Sequence, residues 1–430
     1  MRKELFFSAL MFLALLLSAF LTTIPQMNLW VKTYGTGYNE VASGVGILSK
    51  SGVVVVGYGY SSRVKYEPLV RYTKIIVMEL SPTGEIRWTK MYGSGYDNVA
   101  TDVEITNDGS LIIAGEGGSF GYPLKGMLIK LSPRGRVLWS RIYGSGHGTG
   151  ISAIALSEDE VVAVGWIGTG SIYGSHVMVM KTSEDGKLRW AKVYKVTNKG
   201  HATGVSMDAD GNIVVAGEGE DGWIMKLNPS GTPIWVMDLG KEVNITSLLV
   251  TPSGNIVALG TFGNSALILE LTGDGELMWA RSYTIGNSTE ARALTLVGND
   301  ILVTGKANVS KSFKLWVMKT DRRGMVEWSE VCSGRYGGDW GTALTSEPGY
   351  AVVAGVTLDL GRGYGDILVA RISQEGIKCR ICRRVIPLVD VPNVKTDRKE
   401  ISYRSVKLKV ERVEPKVFRW NAQNSTVCSQ

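Results

Sequence analysis

The sequence predicts an all-β protein, a seven-bladed β-propeller of four-stranded antiparallel blades, and three observations support this prediction. A Gly-x-x-x-Trp element recurs along the chain with an irregular spacing of 44 to 52 residues. Glycine makes up 53 of the 430 residues and clusters in short segments that read as tight turns. Each copy also holds one almost wholly apolar run, which needs burial on both faces and therefore lies between neighbouring sheets.

One copy of the repeat shows how a blade is built. A half-polar strand over residues 100–106 leads through an Asp108-Gly109 turn into the apolar run 111–115. An alternating strand over 127–131 follows, then a four-residue turn ending at Gly135 and a strand that carries Trp139. Four short strands in seven copies are typical of a propeller, because one sheet cannot cover its own apolar faces and a closed ring can.

The four-residue turn ends in glycine in every copy. This glycine supplies the left-handed residue that closes a hairpin. The seven glycines are Gly84, Gly135, Gly186, Gly231, Gly275, Gly324 and Gly376. Tryptophan follows four residues later in six copies, and Arg380 stands there in the seventh.

One tryptophan strand is surplus, because Trp30 heads a further copy at the front of the chain. We expect the front strand, residues 28–35, to close the ring by pairing with the seventh blade. In the alternative, the local hairpin at Gly376 completes that blade and the front strand is an appendage.

The order of elements resembles the seven-bladed β-propeller repeats of secreted bacterial and archaeal proteins and, more distantly, kelch repeats. The residues that carry the likeness are 88–93, Asp97, Asp108-Gly109 and 111–115, and the likeness extends over 28–376. It implies the fold and says little about function. The longer docking motif of quinoprotein blades is missing, and the three histidines have no metal spacing, so we expect no cofactor and no metal site.

The first 27 residues predict an apolar helix that is either a cleaved signal or a membrane anchor. Arg2 and Lys3 precede a charge-free run over residues 5–24. Both alternatives place the body outside the cytoplasm, secreted or anchored, with membrane contact through this segment. Four Asn-x-Ser/Thr triplets are candidates for glycosylation: Asn244, Asn287, Asn308 and Asn424.

The basic charge of the chain belongs to its tail. Residues 377–430 hold 13 Lys+Arg against 5 Asp+Glu, whereas the whole chain has a net charge of +7. We expect this tail to form strands that dock on the propeller, 28–376. All four cysteines are disulfide candidates in an exported chain: Cys332, Cys379, Cys382 and Cys428. We expect Cys428 to pair with Cys379 or Cys382.

Binding residues are expected on the face that carries the most variable loops. Aromatic and acidic side chains in these loops are the candidate ligand-binding residues: Tyr38, Glu40, Tyr58, Tyr60, Tyr66, Tyr72, Tyr96, Asp97, His147, Glu290, Asp339 and Trp340. We expect an exported binding scaffold for a protein or glycan at the cell surface, and no nucleic-acid partner. The alternatives are a hydrolase or lyase that uses carboxylates at the channel mouth, and a structural envelope protein; no residue is predicted to be catalytic.

Overall fold

A ring of seven antiparallel sheets forms the body of the protein, as expected. The computed structural model describes residues 28–60, 72–93, 96–118, 123–170, 174–407, 409–412, 416–419 and 422–429. The predicted N-terminal helix lies outside the described residues. Within them, the only helical element is a single 3-10 turn at Ser49–Ser51, and no helix has the length and apolarity needed to span a bilayer.

The strands alternate with short turns and loops along the whole ring. In chain order they are β1 (Trp30–Gly35), β2 (Glu40–Leu48), β3 (Gly52–Tyr60), β4 (Thr73–Leu80), β5 (Ile86–Gly93), β6 (Asn98–Ile105), β7 (Leu111–Gly117), β8 (Lys125–Leu131), β9 (Val137–Gly144), β10 (Thr149–Ser157), β11 (Glu160–Gly168), β12 (Ser175–Ser183), β13 (Leu188–Lys195), β14 (His201–Met207), β15 (Ile213–Glu218), β16 (Gly222–Leu227), β17 (Pro233–Gly240), β18 (Val243–Val250), β19 (Ile256–Phe262), β20 (Ser265–Leu271), β21 (Leu277–Thr284), β22 (Ser288–Val297), β23 (Asp300–Val309), β24 (Ser312–Thr320), β25 (Val326–Cys332), β26 (Trp340–Glu347), β27 (Tyr350–Thr357) and β28 (Asp366–Ser373). The tail adds β29 (Cys382–Arg384), β30 (Leu388–Asp390), β31 (Asp397–Arg398), β32 (Ser402–Ser405), β33 (Lys409–Arg412), β34 (Lys416–Arg419) and β35 (Gln423–Ser429).

Blades 1 to 6 each take four consecutive strands, from β2 to β25, and blade 7 takes β26, β27, β28 and β1. The innermost strand of each blade contacts the innermost strands of both neighbours, so the ring is closed. The front strand closes it, because β1 pairs with β28 in the register Trp30↔Arg371 to Tyr34↔Ile367. This is the first of the two closures that the sequence allowed.

The tail gives every blade a fifth, outermost strand. Strands β29 to β35, which we call the belt, run around the ring in the reverse order of the blades. Their partners, in order, are β25, β21, β17, β13, β9, β5 and β1. The four strands predicted for each blade are thus present in the ring, and the belt covers the outer edges that they leave open.

Two disulfides fix the belt. Cys332 in β25 pairs with Cys382 in β29, and Cys379 pairs with Cys428 in β35. The second pairing is one of the two that the sequence left open for Cys428. Such bonds persist in oxidising compartments, so they are consistent with an extracellular protein.

The core lies between the blades. Apolar runs such as Val53–Val56 in β3 are fully buried because sheets pack on both of their faces. On the outer side, the tryptophan of one blade packs beneath the turn glycine of the next at six of the seven junctions. A Cβ atom on Gly135, for example, would lie 2.9 Å from the Trp88 ring and 2.8 Å from the Tyr92 hydroxyl. The repeated Gly, Trp and Tyr therefore form one contact between neighbouring blades.

Candidate functional site

The two faces of the ring differ in their connections. The turns between the first and second strands, and between the third and fourth, lie on one face. The loops between the second and third strands, and between consecutive blades, lie on the other, which we call the loop face. The predicted binding residues that the structure describes lie in these loops or in the strand ends that flank them, around the mouth of the central channel.

The channel is lined by the seven innermost strands, and every one of them carries a β-bulge at the same place. The bulge residue is Ser43, Thr101, Ser152, Thr203, Thr246, Arg292 or Thr342 in blades 1 to 7. Five of these hydroxyls donate to a backbone carbonyl of the next blade, at 2.6 to 3.0 Å. The channel wall is therefore a ring of hydroxyls that joins one blade to the next.

Arg292 interrupts this hydroxyl ring. Its guanidinium lies at the channel mouth, with 38 % of the side chain exposed, and Nη2 is 3.7 Å from a carboxylate oxygen of Glu290. The other oxygen of Glu290 accepts Lys306 Nζ at 3.0 Å. Two cations and one acid thus meet on blade 6, which leaves one positive charge at the mouth.

A cleft beside Arg292, which we call the mouth cleft, spans blades 6, 7, 1 and 2 and encloses about 730 Å³. Three aromatic rings line it, those of Tyr58, Phe313 and Trp340, together with Lys306 and Arg292. Lys306 Nζ lies 4.3 Å from the centre of the Phe313 ring. No carboxylate lines the mouth cleft among the described residues, so its charge favours an anion.

Electrostatics in the mouth cleft agree with this reading. Burial raises the pKa of Tyr58, Tyr60 adds to this, and the positive charge of Arg292 opposes it. The phenol is therefore neutral at physiological pH. A neutral hydroxyl beside a guanidinium can donate one hydrogen bond to an anion while the guanidinium supplies charge.

Deeper in the channel, blade 2 contributes two carboxyl groups. The channel cavity has a volume of about 440 Å³ and includes Asp102 and Glu104. Burial raises the pKa of Asp102 to about 6 and that of Glu104 to about 8. Both oxygens of Asp102 accept backbone N–H groups, from Val103 and Ile154. Glu104 is thus largely protonated at neutral pH, and the two groups neighbour each other on one strand.

Of the predicted binding residues, the structure brings Tyr58 and Trp340 into the mouth cleft and places Glu290 at its edge. Tyr72 and Tyr96 form a separate edge-to-face pair with ring centres 5.7 Å apart. Beside them, the Asp97 carboxylate accepts two hydrogen bonds from Thr73, one from its backbone N–H and one from its hydroxyl. These three residues are therefore a second cluster on blades 1 and 2, apart from the residues that line the mouth cleft.

Two acids that we expected at the channel mouth are buried instead. Glu40 and Asp339 are each 0 % exposed, and each has one oxygen without a hydrogen-bond partner in the described part of the chain. Burial raises the pKa of Glu40 to about 7 and that of Asp339 to about 6. They occupy the position of buried Thr149 and Thr289 in other blades, so their side chains point into the packing between loops.

The remaining predicted residues are dispersed. His147 is exposed, Tyr38 and Tyr60 are half-buried, and Tyr66 lies outside the described residues. Asn244 and Asn287 are exposed, whereas Asn308 and Asn424 are half-buried, and Asn424 donates to Glu85. In the described residues, no three His, Cys, Asp or Glu side chains are grouped to hold a metal ion.

Sequence reasoning missed Arg292, Lys306 and Phe313. A signal for Arg292 was present, because it is the single charged residue at a position where the other six copies have Ser or Thr. Lys306 and Phe313 carry no such mark, since each lies in a strand end whose copies differ in length.

Comparison with known proteins shows the fold alone. No family model matches the chain, and no curated protein matches it. Among solved structures, the WD40 β-propeller domain of Doa1 is similar, with 12 % identity and a TM-score of 0.50, and the match covers 81 % of this chain and 97 % of that one. The Dos1 propeller matches with 11 % identity and a TM-score of 0.50 over 80 % of this chain and 95 % of that one. The chain is thus similar to WD40-type propellers in architecture.

Proposed function

We propose that the protein is an exported β-propeller that acts as a binding scaffold at the cell surface, and that its mouth cleft holds an acidic glycan. The observation that carries the proposal is the mouth cleft itself. Three aromatic rings and two cations line it, and none of its described lining residues is a carboxylate, so it suits a ligand that is both ring-shaped and anionic. Its volume lies within the range of about 300–1,000 Å³ that is usual for ligand sites.

Each part of the mouth cleft has a chemical task in this proposal. Aromatic side chains pack against the flat apolar faces of sugar rings, and Tyr58 and Trp340 line opposite sides of the seam between blades 7 and 1. Arg292 presents a planar fork of donors that fits a carboxylate or sulfate. Glu290 holds Arg292 and Lys306 in place, and a ligand carboxylate would share those two cations.

Further aromatic surface lies next to the mouth cleft on the loop face. Tyr336 and Tyr364 are 75 % and 84 % exposed and belong to neighbouring loops. The Asp359 carboxylate joins these loops by accepting the backbone N–H of Tyr336 at 2.5 Å and that of Gly337 at 3.0 Å. Exposed aromatic groups on loops that a β-sheet scaffold presents are typical of surfaces that bind another molecule. They would extend the contact of a chain-like ligand beyond the mouth cleft.

A direct binding experiment tests the proposal. Titration calorimetry with polygalacturonate, a sulfated glycan and a neutral β-glucan should show binding of the two acidic polymers, weakened by salt. Arg292→Met and Trp340→Ala should each reduce affinity at least tenfold. Lys192→Met removes a similar cation–π pair, with Trp190, far from the mouth cleft, and should leave affinity unchanged.

Three results would contradict the proposal. Equal binding of the neutral and acidic polymers would remove the role of the cations. Loss of binding in Tyr72→Ala, but not in Trp340→Ala, would move the site to the Tyr72–Tyr96 cluster. Binding of poly-glutamate alone, with no glycan bound, would replace the glycan by an acidic peptide.

A further inference from the structure

The two ends of the belt are covalently joined. Cys379 precedes the first belt strand, Cys428 lies in the last, and their disulfide spans 49 residues of sequence with Cα atoms 5.9 Å apart. Between these cysteines the chain adds a strand to all seven blades. We infer that the belt is a closed covalent hoop that holds the propeller shut by clamping β1, the strand that completes the ring. This inference goes beyond the proposed function and does not depend on any ligand.

Ring closure depends on β1 because this strand comes from the opposite end of the propeller chain. On its inner side β1 pairs with β28, and on its outer side it pairs with β35 from Trp30↔Ser429 to Gly35↔Gln423. The ring can open at this seam only if β1 leaves blade 7 or blade 7 leaves blade 1. The longest belt strand thus lies directly over the strand that must not move.

Glu85, in the outer turn of blade 1, joins three parts of the seam. One carboxylate oxygen accepts Lys32 Nζ of β1 at 2.5 Å, and the other accepts the Asn424 amide of β35 at 3.0 Å. These hydrogen bonds lower the pKa of Glu85, so it is ionised at neutral pH. Blade 1, β1 and the belt therefore meet at one side chain.

A closed hoop resists opening in a way that an open tail does not. Most belt strands are short, and β31 has only two residues, so an open belt would peel from its free end one blade at a time. The connections between β32, β33, β34 and β35 have only three residues each. Such a connection spans at most about 14 Å, so adjacent outer edges cannot separate widely while the hoop is closed.

The second disulfide provides a matched control. Cys332 and Cys382 are 50 residues apart, and their residues are direct neighbours across β25 and β29. Because the two disulfides enclose loops of nearly the same length, chain entropy predicts nearly the same stabilisation from each. Only Cys379–Cys428 closes the hoop, so a difference between them reports on closure and not on cross-linking in general.

The experiment compares two double variants of the oxidised protein by hydrogen exchange and thermal unfolding. The double variant Cys379→Ser with Cys428→Ser should raise the rate of amide hydrogen exchange in β1 and β35 on the order of tenfold or more, and it should lower Tm. Cys332→Ser with Cys382→Ser should raise exchange only in β25 and β29. Equal protection of β1 in the two variants would overturn the inference.

Cutting the belt tests whether its covalent continuity, and not only the local cross-link of the disulfide, protects β1. This test does not require a variant to fold without its cysteines. A protease site inserted into residues 391–396, the longest belt connection, allows the folded and fully oxidised protein to be cut. We expect cutting to raise exchange in β1 as the first double variant does, with both disulfides intact. Unchanged exchange in β1 after complete cutting would show that the belt does not act as a hoop.

Discussion

The hydroxyl of Tyr34 donates a 2.7 Å hydrogen bond to the carbonyl of Gly84 and thereby ties the ring-closing strand to blade 1. The same bond recurs between blades from Tyr92, Tyr143, Tyr194 and Tyr283. It explains why tyrosine stands four residues after tryptophan in five copies. Leu239 and Cys332 stand there in blades 4 and 6, and in blade 6 a disulfide to the belt occupies the place of the bond.

Removal of one such hydroxyl should weaken the ring measurably. Tyr143→Phe leaves the buried carbonyl of Gly186 without its donor, and we expect the free energy of unfolding to fall by about 1–3 kcal/mol. Tyr403→Phe is the control, because the Tyr403 ring stacks on Tyr194 at 5.7 Å and is 42 % exposed. Denaturant titration of both variants tests this, and equal stability of the two would contradict it.

Alanine at a turn glycine should show how closely the blades pack. Gly135 has φ +69°, and an added Cβ would lie within 3 Å of Trp88 and Tyr92. Gly254 has φ +85°, but nothing lies within 4 Å of an added Cβ. Gly254→Ala should therefore cost only backbone strain, on the order of 1 kcal/mol, and Gly135→Ala should cost clearly more. Unfolding midpoints of the two variants would contradict this account if they were equal.

We expect Arg292 to lower the stability of the ring and to contribute to ligand binding. Arg292→Thr would restore the hydroxyl that the other six copies have, and it would remove a charge from the channel wall. We expect stability to rise by about 1 kcal/mol, as for a single new hydrogen bond, while binding of an acidic glycan is lost. Thermal unfolding and calorimetry on the same sample test both parts. A variant that is less stable would show that the Arg292–Glu290 pair supports the ring.

Stability should fall with rising pH because of Glu40. Burial, with the Asp366 charge adding to it, raises the pKa of Glu40 from 4.5 to about 7, while a hydrogen bond from Thr36 opposes the shift. Between these values the folded protein keeps a proton that the unfolded chain releases, so the free energy of unfolding falls as pH rises through this window. Glu40→Gln removes this titration and should gain stability relative to the parent from pH 4.5 to 7, by roughly 3 kcal/mol at most.

Asp108 provides a control of opposite sign for the pH experiment. Hydrogen bonds, first of all from the Thr106 hydroxyl, lower its pKa to about 2. Its contribution to stability is present above pH 3.8 and is lost as pH falls towards 2. Asp108→Asn should therefore be less stable than the parent at neutral pH and approach it in acid. Denaturant midpoints from pH 2 to 8 test both variants, and parallel curves for Glu40→Gln and the parent would contradict the assignment.

The ring was predictable because its signals are local. A turn glycine such as Gly135 and a tryptophan such as Trp139 lie within a few residues, and each copy repeats their spacing. The prediction of a seven-bladed all-β propeller is therefore confirmed. The front strand could be assigned to the ring because Trp30 repeats the tryptophan of the outer strands.

The belt and the mouth cleft were harder to predict for a physical reason. A strand such as Asp397–Arg398 is too short to have a pattern of its own and is defined only by its partner in blade 4. Tyr58 and Trp340 meet because the ring closes, although they lie far apart in sequence. Glu40 resembles a surface acid in sequence, and only the packing of the loops around it shows that it is buried.

The position of β1 between β28 and β35 sets an order of assembly. During synthesis, β1 emerges first but has no partner until blade 7 has followed it, so it must wait while six blades form. Cys382 can pair with Cys332 of blade 6 when the first belt strand adds to the ring. Cys428 lies in the last belt strand and follows the six strands that add to the other blades. Formation of the Cys379–Cys428 bond would thus mark a ring whose belt is in place, and its free thiols would mark one whose belt is not yet closed.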